Sequence, residues 1–217
     1  MDHVVPPSLL FDFRPRLLPC PGPSQKAKGR LLTLPDANIF QPSVINEQPQ
    51  FATLQLGWNA DGFGGAVTVA GKSSTPQGDL SKLDRSDSIT IWLDTRASGI
   101  VHRATEYCHS FGLVPATEDN AEPEAVVVSI AQQRASRVDS NVRLFQLRTH
   151  TTADGYCLEF WIPGSQLHGF REISEFGRLG FHCVINDREL GEQSFGLADD
   201  FPTSYDPSTW TQLELQT

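Results

Sequence analysis

The stretch Asp87-Ser-Ile-Thr-Ile-Trp-Leu-Asp-Thr-Arg96 alternates residue by residue, with Ile89, Ile91 and Leu93 on one side and Thr90, Trp92 and Asp94 on the other. Successive side chains leave a pleated backbone in opposite directions, so this period of two predicts a strand with one buried face. The pattern repeats outward from it. Phe51-Ala-Thr-Leu-Gln-Leu-Gly-Trp58 alternates, Asn59-Ala-Asp-Gly62 supplies turn chemistry, and Phe63 to Val69 returns, which predicts a hairpin. A strand over 103–114 opens at His102-Arg103 and carries His109. Further strands are read at 126–130, 142–148, 156–162, 179–186 and 210–215. No segment holds a 3.6-residue apolar period over three turns, and 163–170 offers one helical turn at most. About nine or ten short strands separated by turns predict an all-β fold, an antiparallel jelly-roll-like β-sandwich with at most one short helix.

Residues 1–50 read differently. They hold nine prolines, at 6, 7, 15, 19, 21, 23, 35, 42 and 49. Each lacks a ladder donor, so a regular central strand or helix is excluded. Yet Leu9, Leu10, Phe11, Phe13, Leu17 and Leu18 are too apolar for a free linker. The expectation is an extended arm over 1–50 packed on the body, with Gly22 to Gly29 as an exposed loop, and a single sandwich domain over 51–217.

Hydrophobic residues make up 39% of the 217, and charged residues 20%, an ordinary composition for a soluble domain with a real core. A formal charge of −9 opposes binding to nucleic acid or an anionic membrane surface. No run of about 18 apolar residues could span a bilayer. The opening Met-Asp-His-Val-Val-Pro-Pro lacks the basic start and apolar stretch of a secretion signal. Cys20, Cys108, Cys157 and Cys183 form no C-x-x-C pair, and three of them fall in strand-like runs, so they read as structural thiols. Together these features predict a cytoplasmic location.

Five segments, in order, carry a resemblance. They are Gly57-Trp-Asn-Ala-Asp-Gly-Phe63, Asp87 to Arg96, Asp154-Gly-Tyr-Cys-Leu-Glu-Phe-Trp-Ile-Pro163, Leu179 to Asp187, and Asp206-Pro-Ser-Thr-Trp-Thr-Gln-Leu-Glu-Leu215. Over 51–217 the chain resembles carbohydrate-binding module family 9-like domains, which are related to the DOMON group. The resemblance implies a jelly-roll-like sandwich used for binding, of sugar ends in some branches and haem in others.

The residues suggest where a ligand would sit. Trp92 stands opposite the aliphatic face of its strand, and Trp161, with Glu159, stands opposite Leu158, Phe160 and Ile162. Displayed indoles would stack on the apolar face of a pyranose, while carboxylates and arginines take its hydroxyls. Trp92 could equally be absorbed beneath the N-terminal arm. Asp94, Arg96 and Arg103 are the expected hydroxyl ligands, with His109 lining the floor. Trp58 and Trp210 read as structural. Asn186-Asp-Arg-Glu189, with Gln193, is either a solvated turn or part of a rim.

Catalysis is disfavoured. No G-x-S-x-G elbow is present, and His102, Cys108, His109, His182 and Cys183 lack metal-ligand spacing. Met1 is the lone methionine, and there is no C-x-x-C-H haem attachment. The expectation is therefore a non-catalytic binding domain for carbohydrate or another polyhydroxylated ligand, with no cofactor or metal. The competing reading is an intracellular protein-interaction domain with no small ligand. An enzyme or metal-binding protein comes third.

Overall fold

The alternating segments pair into two sheets in the computed structural model, which describes residues 5–11, 13–24, 29–36, 41–134 and 139–216. The elements are β1 (Arg16–Leu17), β2 (Ala52–Asn59), β3 (Gly62–Ala70), β4 (Ser88–Asp94), β5 (Cys108–Val114), β6 (Glu124–Val127), β7 (Gln146–Thr152), β8 (Gly155–Pro163), α1 (Ile173–Phe176), β9 (Arg178–Asp187), β10 (Gly191–Ser194) and β11 (Thr211–Leu215). Sheet A runs β1-β11-β9-β4-β5-β6, with β10 added on β9, and sheet B runs β2-β3-β8-β7. The fold is an all-β sandwich with one four-residue α-helix among the described residues.

The β2–β3 hairpin forms about the expected turn, with Trp58 opposite Phe63 and Asn59 opposite Gly62. The core lies between the sheets. Ile89, Ile91 and Leu93 of β4 meet Leu158, Phe160 and Ile162 of β8 there, along with Phe63, Phe111 and Phe181. Trp58 joins this core, as its setting beside Leu54 and Leu56 implies.

Three boundaries depart from the sequence reading. β5 opens at Cys108, so His102 and Arg103 lie in the preceding loop and not on a strand. β7 begins at Gln146 because residues 142–144 form a 3-10 turn, whose N-cap Asn141 accepts from the Arg143 N–H. β6 starts two residues early and stops at Val127.

The N-terminal segment covers the outward face of sheet B. Trp161 lies there with Cys20, Leu31, Leu32 and Leu34 packed over it. Glu159, on the same face, accepts from the Leu31 N–H at 2.8 Å and the Leu32 N–H at 3.2 Å. Further along the arm, β1 pairs in parallel with β11 of the other sheet. Of the loop expected over 22–29, residues 25–28 lie outside the described residues.

Candidate ligand groove

Thr90, Trp92 and Asp94 point away from the core, as their alternation with Ile89, Ile91 and Leu93 requires. Trp92 stands between two cross-strand neighbours on the same outward face, Ser110 of β5 and His182 of β9. Its ring centroid lies 5.4 Å from that of His182. This rung is not bare. Ala104, Cys108, Ile130 and Trp210 pack on it, with Val184 and Tyr205, and leave Trp92 7% exposed. The cover comes from the loops before β5, after β6 and before β11, not from the N-terminal arm. Trp210 is fixed by a bond from its indole N–H to the Thr203 carbonyl at 2.7 Å, consistent with an anchoring role.

Beside this cover a groove of about 400 Å³ opens on the outward face of sheet A, with Trp92, Thr90 and Asn186 among the residues along its base. Phe201, Thr203 and Ser204 come from the loop before β11, and Leu80, Ser81 and Leu83 from the loop before β4. Glu192 and Asp199 complete the charged part of its wall, together with Asp84. Two fully buried polar atoms flank Trp92 with no hydrogen-bond partner among the described residues, Ser110 Oγ and His182 Nε2. Burial pushes the His182 pKa down to about 3, so this ring is neutral across the physiological range.

The other expected ligand residues are placed elsewhere or already engaged. Trp161 and Trp92 project from opposite sides of the sandwich, with the core between them, so they cannot form one sugar platform. Trp161 is also 3% exposed beneath the arm. Asp94 and Arg96 do not pair side chain to side chain. Asp94 Oδ1 accepts the Arg96 backbone N–H at 2.9 Å, and burial holds the Asp94 carboxyl above its usual range. The Arg96 guanidinium instead lies 4.2 Å from the Tyr107 ring centroid and 5.0 Å from that of Phe176, and pairs with Glu172 at 2.9 Å. It therefore fastens α1 to the loop before β5.

His109 points into the sandwich, stacked against Phe111 and near the His168 carbonyl. Burial pushes its pKa down to about 4. Arg103 is exposed on its loop. Of the polar run at 186–189, Asn186 reaches the groove. Asp187 is held by internal bonds, and Glu189 accepts from the N–H and hydroxyl groups of Ser73 and Ser74. Gln193 is fully buried and holds the start of β2, accepting from the Phe51 and Ala52 N–H groups.

Glu192, Asp199, Phe201 and Thr203 escaped the sequence reading. They fall on β10 and the loop after it, where no apolar period marks a face. An aromatic set among acids and hydroxyls in Asp199-Asp-Phe-Pro-Thr-Ser204 is the signal that could have found them.

A Ser–His–Asp grouping does occur, at Ser208, His102 and Asp206, but its wiring is wrong for a nucleophile. Ser208 Oγ and Asp206 Oδ2 both meet the same ring nitrogen, His102 Nδ1, at 3.0 and 3.2 Å. A base that activates serine must use one nitrogen for the hydroxyl and the other for the carboxylate. Ser208 Oγ also donates to Asp206 Oδ1 at 2.6 Å, so the group joins two loops. Among the described residues, no three His, Cys, Asp or Glu side chains are grouped to hold a metal ion.

The two-sheet scaffold thus leaves a groove on one outward face. The fold is carbohydrate-binding module family 9-like. One solved structure of such a module from Caldicellulosiruptor kristjanssonii, in complex with glucose, aligns with a TM-score of 0.54 at 14% identity, covering 76% of each chain. Another, from the same organism in complex with cellotriose, aligns with a TM-score of 0.52 at 15% identity, covering 76% of this chain and 74% of that one. No protein-family profile matches the sequence, and no curated protein matches it.

Proposed function

We propose that this protein is a non-catalytic binding module whose ligand is a carbohydrate or another polyhydroxylated molecule, held in the groove on the outward face of sheet A. The groove itself carries this reading. Its volume of about 400 Å³ lies within the range of small-molecule sites, about 300–1,000 Å³. It combines indole and phenyl surface at Trp92 and Phe201 with the hydroxyl, amide and carboxylate groups that bind sugar hydroxyls. The glucose and cellotriose complexes of the structurally similar modules support the sugar class. In this reading Phe201 and the small part of Trp92 left exposed give the apolar contact, and Asn186 takes hydroxyls.

The test is a glycan array followed by calorimetry on the wild type and on Ser204→Trp, which fills the groove from an exposed position. Binding by the wild type and loss in the variant is the expected result. Sugar binding untouched by Ser204→Trp would move the site elsewhere, and no sugar binding at all would overturn the reading.

One observation favours a second reading, a protein-interaction surface. Leu9, Leu10 and Phe11 are consecutive and exposed, Leu10 to 71% and Phe11 to 61%. An apolar run left in water commonly marks a contact surface. Replacing Leu10 and Phe11 by serine and following sedimentation in cell extract tests it. The four buried, free cysteines support a reducing cytoplasmic setting.

A further inference from the structure

Lys72, Asp87 and Asp187 meet at one end of the sandwich, just after β3, just before β4 and at the end of β9. The Lys72 ammonium donates to Asp187 Oδ1 at 3.0 Å and lies 3.1 and 3.3 Å from Asp87 Oδ2 and Oδ1. The Lys72 and Asp187 side chains are 1% and 0% exposed. An amine and a carboxyl held in contact and shielded from water are the reactants of an amide. Such apposition gives an effective concentration of about 10⁵–10⁸ M when the reacting atoms stand about 3–3.5 Å apart. Condensation also removes two buried charges, which are costly to keep out of water.

The two carboxyls are not equivalent. Both Asp87 oxygens accept from backbone, Oδ1 from the Arg188 N–H at 2.8 Å and Oδ2 from the Gln77 N–H at 2.7 Å. Asp87 is thereby fixed against the ammonium as a base. In Asp187, Oδ1 accepts the Glu189 and Leu190 N–H groups at 2.9 and 3.0 Å. Two backbone donors on one oxygen stabilise the charge that develops there when the carboxyl carbon is attacked. Asp187 Oδ2 is buried and has no hydrogen-bond partner among the described residues, so no bond holds it back from leaving.

Tyr156 marks the same place. Its hydroxyl is buried with no partner among the described residues, and its pKa is raised by burial and then by the charges of Asp87 and Asp187. It therefore stays a neutral donor near both carboxyls. A groove of about 480 Å³, with Lys72 and Asp87 in its lining, gives released water a way out.

We propose that Lys72 and Asp187 condense into an isopeptide bond that ties sheet B to sheet A, with Asp87 as the proton relay. Asp87 first carries one proton from the ammonium to Asp187 Oδ2, which leaves a neutral amine beside a neutral acid. The Nζ lone pair then forms a bond to Asp187 Cγ, and the carbonyl pair moves onto Oδ1. Asp87 takes a second proton from the nitrogen and gives it to Oδ2. The Cγ–Oδ2 bond breaks, water leaves with both protons, and the carbonyl re-forms at Oδ1. The nitrogen keeps its third hydrogen, and no oxidant or other reactant enters. The ion-paired chain is the folded reactant, and because the product is one water lighter, the two forms can be assayed apart.

The test is the intact mass of the full chain, fresh and after days at neutral pH, followed by tryptic mapping. The expected result is a chain one water lighter than its sequence. Trypsin should fail to cut after Lys72, and one branched peptide should join the segments carrying Lys72 and Asp187. In Asp87→Asn and in Asp187→Ala the mass should be full and Lys72 cleavable. The Asp-Gly pairs at 61–62 and 154–155 can also lose water, as cyclic imides, so the branched peptide decides and not the mass alone.

Wild-type chain that keeps its full mass, or that loses water while Lys72 is still cleaved, would overturn the proposal whether or not the variants fold. A branch at Asp87 in place of Asp187, or a link formed in Asp87→Asn, would overturn the roles given to the two carboxyls.

Discussion

Lys72 and Asp187 form an ion pair of 3.0 Å, Nζ to Oδ1, with the two side chains 1% and 0% exposed. Asp87 stands on the other side of the same ammonium at 3.1 Å and is equally buried. Lys72 follows β3 in sheet B, Asp87 precedes β4 in sheet A, and Asp187 ends β9. One buried cation therefore joins both sheets at one end of the sandwich. The remaining carboxylate capacity is largely taken by backbone, with Asp87 accepting from the Gln77 and Arg188 N–H groups and Asp187 from those of Glu189 and Leu190.

Replacing Lys72 by methionine keeps much of the volume but leaves two carboxylates facing each other without a cation. A broken buried pair costs about 3–5 kcal/mol, and urea unfolding should show a loss of that size. The triple exchange of Lys72, Asp87 and Asp187 for apolar residues of similar size should lose less than Lys72→Met. An equal or greater loss would mean that the bonds to backbone, not the ion pairs, dominate.

Gly62 and Gly64 lie beneath Trp161, where a Cβ would come within 2.8 and 2.6 Å of the indole. Gly57 gives the same room to Cys20, whose Sγ would be 2.6 Å from an added Cβ. The glycines thus seat the indole flat on the sheet and let the arm close over it. Gly64→Val should lift Trp161, shift its fluorescence to the red and destabilise the fold by about 1–3 kcal/mol, the range for overpacking.

Glu159 holds the arm through two backbone N–H groups and meets His150 Nε2 at 2.7 Å. Glu159→Ala leaves those buried donors unpaired, at about 1–3 kcal/mol each. Limited proteolysis should then cut within residues 20–36 faster than in the wild type, while residues 51 onward stay resistant. Uniform sensitivity along the chain would show that the arm is not a separately released layer.

His109 and His182 are buried neutral, with pKa values pushed down by burial to about 4 and about 3 from an ordinary 6.5. The unfolded chain takes up both protons near pH 6.5, whereas the folded protein does so only near those lower values. In that window the unfolded state binds more protons, so stability falls as pH falls, by up to about 1.4 kcal/mol per pH unit for each ring. Above pH 6.5 the contribution is complete. In His109→Phe the fall between pH 6.5 and 4 should be shallower, read from urea midpoints at successive pH values. An unchanged slope would remove His109 from the account.

The strands that alternate cleanly were legible because period two records a buried and an outward face: β2, β3, β4, β8 and β9 all appear about where Leu54, Phe63, Ile91, Phe160 and Phe181 place them. β5 and β7 were less so, since Arg103 sits in a loop and Arg143 in a 3-10 turn, where the alternation continues by chance. For the site, the period put Trp92 on the outward face correctly, but it could not tell which sheet each tryptophan joins. Trp161 and Trp92 read alike in sequence and lie on opposite sides of the molecule. Whether an outward face meets solvent is decided by other segments, the arm over Trp161 and the loops before β5, after β6 and before β11 beside Trp92, and no local pattern encodes that. Glu192 and Asp199 line one groove only through the return of the chain after β10.

The covering of Trp161 bears on how this protein should be handled. A fragment beginning at residue 51, where the regular strands begin, would lose Cys20, Leu31, Leu32 and Leu34 and bare an indole set over glycines. Such a flat aromatic surface, flanked by Glu159 and His150, is itself well suited to stack sugars. The shortened protein could score positively on a glycan array through a face that the whole chain keeps closed. Ligand screens on trimmed versions would then report on the cut, and the arm must be kept for the groove beside Trp92 to be judged fairly.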